Sequence, residues 1–294
     1  MPSLKEVRNR IQSINSTQQI TKAMKMVSAA KLRRAQDAII QMRPYAQRLT
    51  GILNNLSAAV EDNVANPYAQ DRAPERVLIV AITSDRGLAG AFNANIVKGV
   101  INLIADKYAA QAAAGNVTIM PIGKKGMDAL TRRRYKIYGN YSGLFTGLSF
   151  ANARAASEYA MNSFLNGTYD RVDLVYNEFK NVVTQVMQRE QFLPIVAAPV
   201  QQHNANKIDY IFEPSQEEIF QELVPKSLKV QFYRALLESN ASEHGARMSA
   251  MDKATDNAKE LLKELRLQYN RSRQAAITKE ILEIVGGAEA LARS

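Results

Sequence analysis

The last forty-odd residues constrain this chain more than any other stretch. From Ala246 they read ARMSAMDKATDNAKELLKELRLQYNRSRQAAITKEILEIVGGAEAL, with no proline, and no glycine before Gly286 and Gly287. The run is rich in Ala, Leu, Glu, Lys, Arg and Gln, which lose little side-chain freedom in a helix. Ile277, Ile281, Ile284 or Val285, Ala288 and Leu291 recur at three- and four-residue steps, so one stripe is apolar. As one helix, Ala246 to Val285 spans about 60 Å. A compact domain has no use for such a length, so the helix needs a partner along it.

The other end of the chain supplies the candidate. Ser3 to Val60 reads as a second long helix, opened by a capping box of Ser3 and Glu6. Leu4, Val7, Ile11 and Ile14 follow coiled-coil spacing, and the same frame then meets Gln18, Thr21, Lys25 and Ser28. Either the frame shifts there, or this polar segment faces a third party as well as its helical mate. Pro44 is expected to bend or restart the helix, because it lacks an N–H and crowds the preceding turn. Leu49, Leu53, Leu56 and Val60 then resume the apolar stripe.

Charge follows the same division. Residues 1–50 carry ten Lys or Arg against Glu6 and Asp37, a net of +8 out of +10 for the whole chain. A basic rod suits an acidic partner: nucleic acid, anionic lipid or an acidic protein surface. The absence of cysteine excludes disulfides, thiolate metal sites and thiol switches. No apolar run is long enough to span a bilayer, and the start MPSLKEVRNR lacks a signal-peptide core. His203 and His244, far apart in polar stretches, read as surface residues.

Between the rods the pattern changes. Asp62 to Glu75 reads as a linker. Strands are predicted over 76–83, 116–122, 135–138 and 171–178, with helices over 92–113 and 150–165 and a short one after Gly123. Residues 182–192 alternate and are expected to pair as a hairpin with the fourth strand. Strands alternating with helices mean a mostly parallel sheet covered by helices. A polar loop over 201–207 and an extended piece over 209–214 lead to Ser215, a predicted cap of the last helix, in which Pro225 should break or kink. The predicted fold class is therefore a long antiparallel coiled coil of N- and C-terminal helices with an inserted Rossmann-like α/β domain. The expected divisions are 1–60, 76–200 and 208–294.

The sheet carries no recognisable chemistry. The turn SDRGLAGAFN after the first strand is neither GxGxxG nor a phosphate loop, and Asp85 at its mouth would repel phosphate. GKKG at 123–126 has lysines and glycines after a strand, but no Ser/Thr follows, so it reads as a plain turn. There is no convergent Ser/His/Asp set, no paired carboxylates and no metal-ligand spacing. No cofactor, metal or catalytic residue is expected. A nucleic-acid-binding or scaffolding rod is the main alternative. It would want aromatics among its basic residues, and residues 1–50 hold only Tyr45. An enzyme on the α/β domain is a second alternative, without a fingerprint to support it.

Four blocks make the reading specific: TQQITKAMKMVSAAKLRRAQ, ITSDRGLAGAFN, MDKATDNAKELLKEL and YNRSRQAAITKEILEIVGGAEAL. In content and order they resemble the γ subunit of F-type ATP synthases, from end to end of the chain. Ala89 stands where relatives often carry Cys, and the Cys-bearing insert of chloroplast relatives is absent. The resemblance implies a non-catalytic central-stalk rotor, one copy per complex. Such a rotor turns inside an α3β3 ring and meets the ε subunit and the membrane rotor (c) ring. It couples proton flow to ATP synthesis or hydrolysis at the α/β sites. It further implies that Arg273, Gln274 and Thr278 contact a β-subunit loop, with Met24 and Lys25 on the other helix at the same level. By the same resemblance, Tyr210 and Glu213 belong to the foot that meets the ε subunit and rotor ring. The expected location is the cytoplasmic side of a bacterial plasma membrane, as a peripheral protein that binds no nucleic acid.

Overall fold

The computed structural model describes residues 3–59, 66–195 and 216–292. Two helices frame it: α1 (Leu4–Ala59) and α6 (Gln216–Ala292). Between them lie β1 (Val77–Ile82), α2 (Phe92–Lys107), α3 (Ala109–Ala113), β2 (Val117–Ile122), α4 (Lys124–Thr131), β3 (Lys136–Ile137), α5 (Phe150–Leu165), β4 (Arg171–Phe179) and β5 (Gln185–Leu193). The chain forms two compact units, one from both ends (Met1–Ser28 with Met248–Ser294) and one from Ala29–Arg247.

The capping box at the start of α1 is made. The Ser3 N–H donates to the Glu6 carboxylate and the Glu6 N–H to the Ser3 hydroxyl. Pro44 and Pro225 do not interrupt their helices. Each proline removes one backbone bond, and packing along a long helix outweighs that local loss. Ser215, the predicted cap of α6, lies outside the described residues.

In the larger unit the sheet order is β3-β2-β1-β4-β5. The first four strands are parallel and β5 returns antiparallel on β4, the expected hairpin. β1 and β2 are buried along their whole length, as strands covered on both faces must be. One face packs Val77, Ile79, Val175 and Ile119 against Ile96, Val100 and Leu103 of α2 and Leu130 of α4. The other packs Leu78, Val80, Leu174 and Tyr176 against Ala156, Ala160 and Phe164 of α5 and Leu228, Phe232 and Leu236 of α6. The doubly wound shape follows from the alternation of strand and helix in the sequence.

Candidate partner-binding site

In the terminal unit, α1 and α6 form the expected antiparallel pair. Val7, Thr21 and Ser28 of α1 are buried, as are Met251, Ala258, Leu262 and Leu265 of α6. The polar stretch of the seam neither shifts frame nor turns outward. The Thr255 hydroxyl lies 2.8 Å from that of Thr21, and the Lys25 ammonium pairs with Asp252. Each hydroxyl also has a carbonyl in its own helix within reach: Thr21 that of Gln18, Ser28 that of Met24 and Thr255 that of Met251. A polar seam costs little when its donors are answered locally or across the pair.

The two cross-links fix the register. Position 21 faces 255 and position 25 faces 252, so Leu4 falls level with about position 272. Beyond that point α6 has outrun the start of α1. Residues 273–288 are exposed on every side, including Ile277, Ile281, Leu282, Ile284 and Val285. Apolar side chains around a single helix have no partner within the described residues of this chain.

The site residues expected from the sequence fall in three places. Arg273, Gln274 and Thr278 sit on the overhang, exposed; the Thr278 hydroxyl donates to the Gln274 carbonyl at 3.0 Å. Met24 is half-buried in the seam, and Lys25 beside it is engaged by Asp252. The expectation that Met24 and Lys25 share a level with Arg273 does not hold. Lys25 is level with Asp252, and Arg273 stands about 31 Å of helix rise further along. Tyr210 and Glu213 lie outside the described residues.

The strand ends of the larger unit close off a phosphate site with their own groups. The Asp85 carboxylate accepts the backbone N–H groups of Lys124 and Gly143, both at 3.0 Å. It thus occupies the N-terminus of α4, where an anion would otherwise sit. The glycines of GKKG serve packing. A Cβ on Gly126 would stand 2.5 Å from the Thr83 hydroxyl, and one on Gly123 2.3 Å from the Thr83 carbonyl. The Gly126 N–H donates to the Thr83 hydroxyl at 2.9 Å. Among the described residues no group of His, Asp and Glu could hold a metal ion.

The attachment of α6 to the sheet has no clear signal in the sequence. Glu238, Ser239, Ser242, Glu243 and Arg247 are all buried, where an apolar stripe would be expected. Glu238 accepts the Phe179 N–H, while the Ser239 and Ser242 hydroxyls donate to the carbonyls of Ile82 and Asn177. The Arg247 guanidinium donates to the Arg86 and Gly87 carbonyls and to the Glu243 carboxylate at 2.6 Å. Burial pushes the Glu243 carboxyl up, against the pull of Arg247. These polar groups fasten α6 to carbonyls that end the strands and line the first loop. The polar run ESNASEHGAR inside a helix is the one trace of this in the sequence. His244, expected at the surface, is instead half-buried in the same cluster. Desolvation, then the charges of Arg247 and Lys31, hold its pKa down to about 4.

Known proteins match this chain along its whole length. The family described as ATP synthase matches residues 3–291. The ATP synthase gamma chain of Cytophaga hutchinsonii is 67% identical over 293 residues, covering 99% of each chain. That of Flavobacterium johnsoniae is 55% identical over 292 residues, again covering 99% of each. A chain from the central stalk/c-ring structure of Tetrahymena thermophila mitochondrial ATP synthase is 28% identical with a TM-score of 0.57; the match covers 80% of this chain and 99% of that one. A chain of the Euglena gracilis mitochondrial enzyme, 20% identical with a TM-score of 0.65, shares the fold over 98% of this chain and 94% of its own. A match to the family over residues 3–291, with gamma-chain relatives at more than half identity over nearly the whole chain, places this protein in the ATP synthase gamma chain family.

Proposed function

We propose that this chain is the central rotor shaft of an F-type ATP synthase, with its α6 overhang enclosed by a ring of three α and three β subunits. It is a non-catalytic subunit that couples proton flow through the membrane rotor ring to synthesis or hydrolysis of ATP on that ring of partners. The observation that carries this reading is the helix over 273–288, exposed on all sides and studded with apolar residues. Such a segment is stable in water only at a cost, and a surrounding sleeve removes that cost. A sleeve that grips without locking suits single aliphatic side chains and exposed polar ones better than large anchors. The basic rod adds long-range attraction to an acidic lining.

Within this reading Arg273, Gln274 and Thr278 hydrogen-bond a β-subunit loop. Met24 and Lys25 contribute lower on the shaft, through what their half-exposed side chains leave free. Tyr210 and Glu213 meet the ε subunit and the rotor (c) ring. The complex sits on the cytoplasmic side of a bacterial plasma membrane, this chain being peripheral to it. No described helix is long and apolar enough to cross a membrane. The test is co-purification from source membranes followed by native mass measurement. Three α and three β subunits per copy of this chain are expected; a lone chain, or one bound to nucleic acid, overturns the reading.

A further inference from the structure

Helix α4 ends at Thr131 and is followed by three consecutive arginines, Arg132, Arg133 and Arg134, and Lys136 opens β3 two residues on. All four are exposed. From 124 to 140 the sequence holds six cations and one acid, Asp128. Arg132 and Arg133 fold back to donate to the Asp128 and Ala129 backbone carbonyls, at 3.0 and 2.9 Å. Those contacts use the C-terminal carbonyls of the helix, which favour cations, and leave the rest of each guanidinium fork free. None of the four enters an ion pair among the described residues.

Arg134 adds a second observation. Its φ is 63°, in the left-handed region. The turn is closed by the Arg134 N–H on Thr131 and the Tyr135 N–H on Leu130, a helix end that ordinarily carries glycine. Glycine would adopt this conformation without the clash of a Cβ with its own backbone. The chain places an arginine there at a cost to stability, and no contact of its side chain repays that cost.

The strip has a defined address. Lys136 pairs with Thr118 near the start of β2, so the arginines lie at the N-terminal end of the parallel strands, on the sheet edge. β5 ends at that end too, since Leu193 pairs with Val172. α6 starts there, because its contacts climb from Glu190 through Gln231 to Phe179 through Glu238. Tyr135 is half-buried in the α2-side core, and Tyr138 stacks on Tyr159 with centroids 3.8 Å apart, so the segment is held in place.

We infer that Arg132, Arg133, Arg134 and Lys136 form a contact for the phosphodiester headgroups of an anionic membrane surface. Guanidinium forks match phosphate oxygens two bonds at a time. A turn of exposed charges with no apolar centre lacks the buried core that a protein partner needs, whereas a lipid surface asks only for clustered cations with aromatic neighbours. The inference rests on the shaft reading for bringing this end of the sheet to the membrane.

The test is flotation of the full chain with vesicles of phosphatidylcholine alone and with roughly a third phosphatidylglycerol. R132Q/R133Q/R134Q is compared with K5Q/R8Q/R10Q, which removes the same charge from exposed positions of α1. The strip variant is expected to lose about tenfold or more in partition onto anionic vesicles, and the rod variant less than about threefold. Arg134→Gly, which relieves the backbone, should melt above the wild type and still bind anionic vesicles more weakly. Equal losses in the two triple variants, undiminished binding by the strip variant, or full binding by Arg134→Gly overturns the inference. So does a strip variant that fails only to join the detergent-solubilised complex, which would assign the strip to an acidic protein. Assembly of the wild type with its partner subunits is scored separately, so failure of the shaft reading remains distinguishable.

Discussion

The hydroxyl of Thr255 faces the hydroxyl of Thr21 at 2.8 Å, joining the two ends of the chain where an ordinary coiled coil would place aliphatic side chains. Both groups also reach a carbonyl of their own helix, so neither depends wholly on the other. Small β-branched residues at this rung keep the pair slim and let it stay hydrogen-bonded without wide apolar knobs. The seam is built for a narrow rod more than for a strong dimer.

Replacing one threonine by valine should therefore cost modestly, and replacing both should cost less than the sum. A single Thr21→Val leaves the half-buried Thr255 hydroxyl without its cross-helix partner and should destabilise by about 1 kcal/mol. Thr21→Val with Thr255→Val removes both polar groups at nearly constant shape and should recover most of that loss. Urea unfolding of the three variants measures this. Strictly additive losses would mean that the two hydroxyls do not interact.

Arg247 ties α6 to the loop after β1 and neutralises buried Glu243. Arg247→Ala leaves that carboxylate buried without its partner and should cost about 3–5 kcal/mol. Arg247→Met with Glu243→Gln should recover a substantial part, since no charge is then stranded. Chemical denaturation gives the energies, and amide exchange over residues 84–90 should rise in the alanine variant before the sheet opens.

Much of this was legible in the sequence, for physical reasons that differ from place to place. The apolar runs of β1 and β2 admit one reading because both faces are covered. Ser3 and Glu6 announce their capping box at fixed spacing. Pro44 and Pro225 neither restart nor break their helices, where packing overrides a local penalty. The polar rungs were ambiguous because a one-dimensional frame cannot show that Lys25 meets Asp252. For the same reason the levels of Met24 and Arg273 went astray, since register belongs to the pair and not to either helix. The polar fastening of α6 was hidden, because buried serines and arginines look like a solvated face until their carbonyl partners are known.

His244 makes stability depend on pH in a predictable direction. Its folded pKa is about 4 against an ordinary 6.5. The unfolded chain therefore takes the proton first, and stability is lost as pH falls through 6.5 towards 4. Glu238 and Glu243 act the other way. Burial raises both, so their contribution is fullest below their ordinary values and is lost as pH rises through the folded ones. His244→Gln removes only the first effect. The stability of the wild type relative to this variant should shrink between about pH 7.5 and pH 5, measured by urea midpoints across the range. A constant difference would mean that His244 titrates freely in the folded state.

The α4 end offers a packing test. At Gly126 a methyl group would meet the Thr83 hydroxyl at 2.5 Å and its methyl at 2.8 Å. Gly126→Ala should destabilise by about 1–3 kcal/mol through overpacking, and adding Thr83→Ala should relieve part of it. If the glycines instead served a phosphate, Gly126→Ala would leave stability intact and abolish nucleotide binding. Calorimetry with ATP on the wild type should show no binding, since Asp85 already fills that helix terminus.

The overhang allows stability and function to be separated on one chain. Residues 273–288 are exposed throughout, so they bury little that unfolding would release. Truncation after Ser272 should change the unfolding free energy of the isolated chain by no more than about 0.5 kcal/mol. The same truncation should sharply weaken assembly with α and β subunits, or ATP-driven proton pumping by the complex, because it removes Arg273, Gln274 and Thr278 together with the apolar tip. Truncation after Val285 keeps those three residues and should be milder. Arg273→Ala with Gln274→Ala, which leaves the tip intact, isolates the polar contact: reduced pumping with normal assembly would assign these residues to coupling. If the two truncations do equal damage, the contact lies in the tail. If neither truncation affects assembly or pumping while stability falls, the segment packs on its own chain and the enclosed-shaft reading fails.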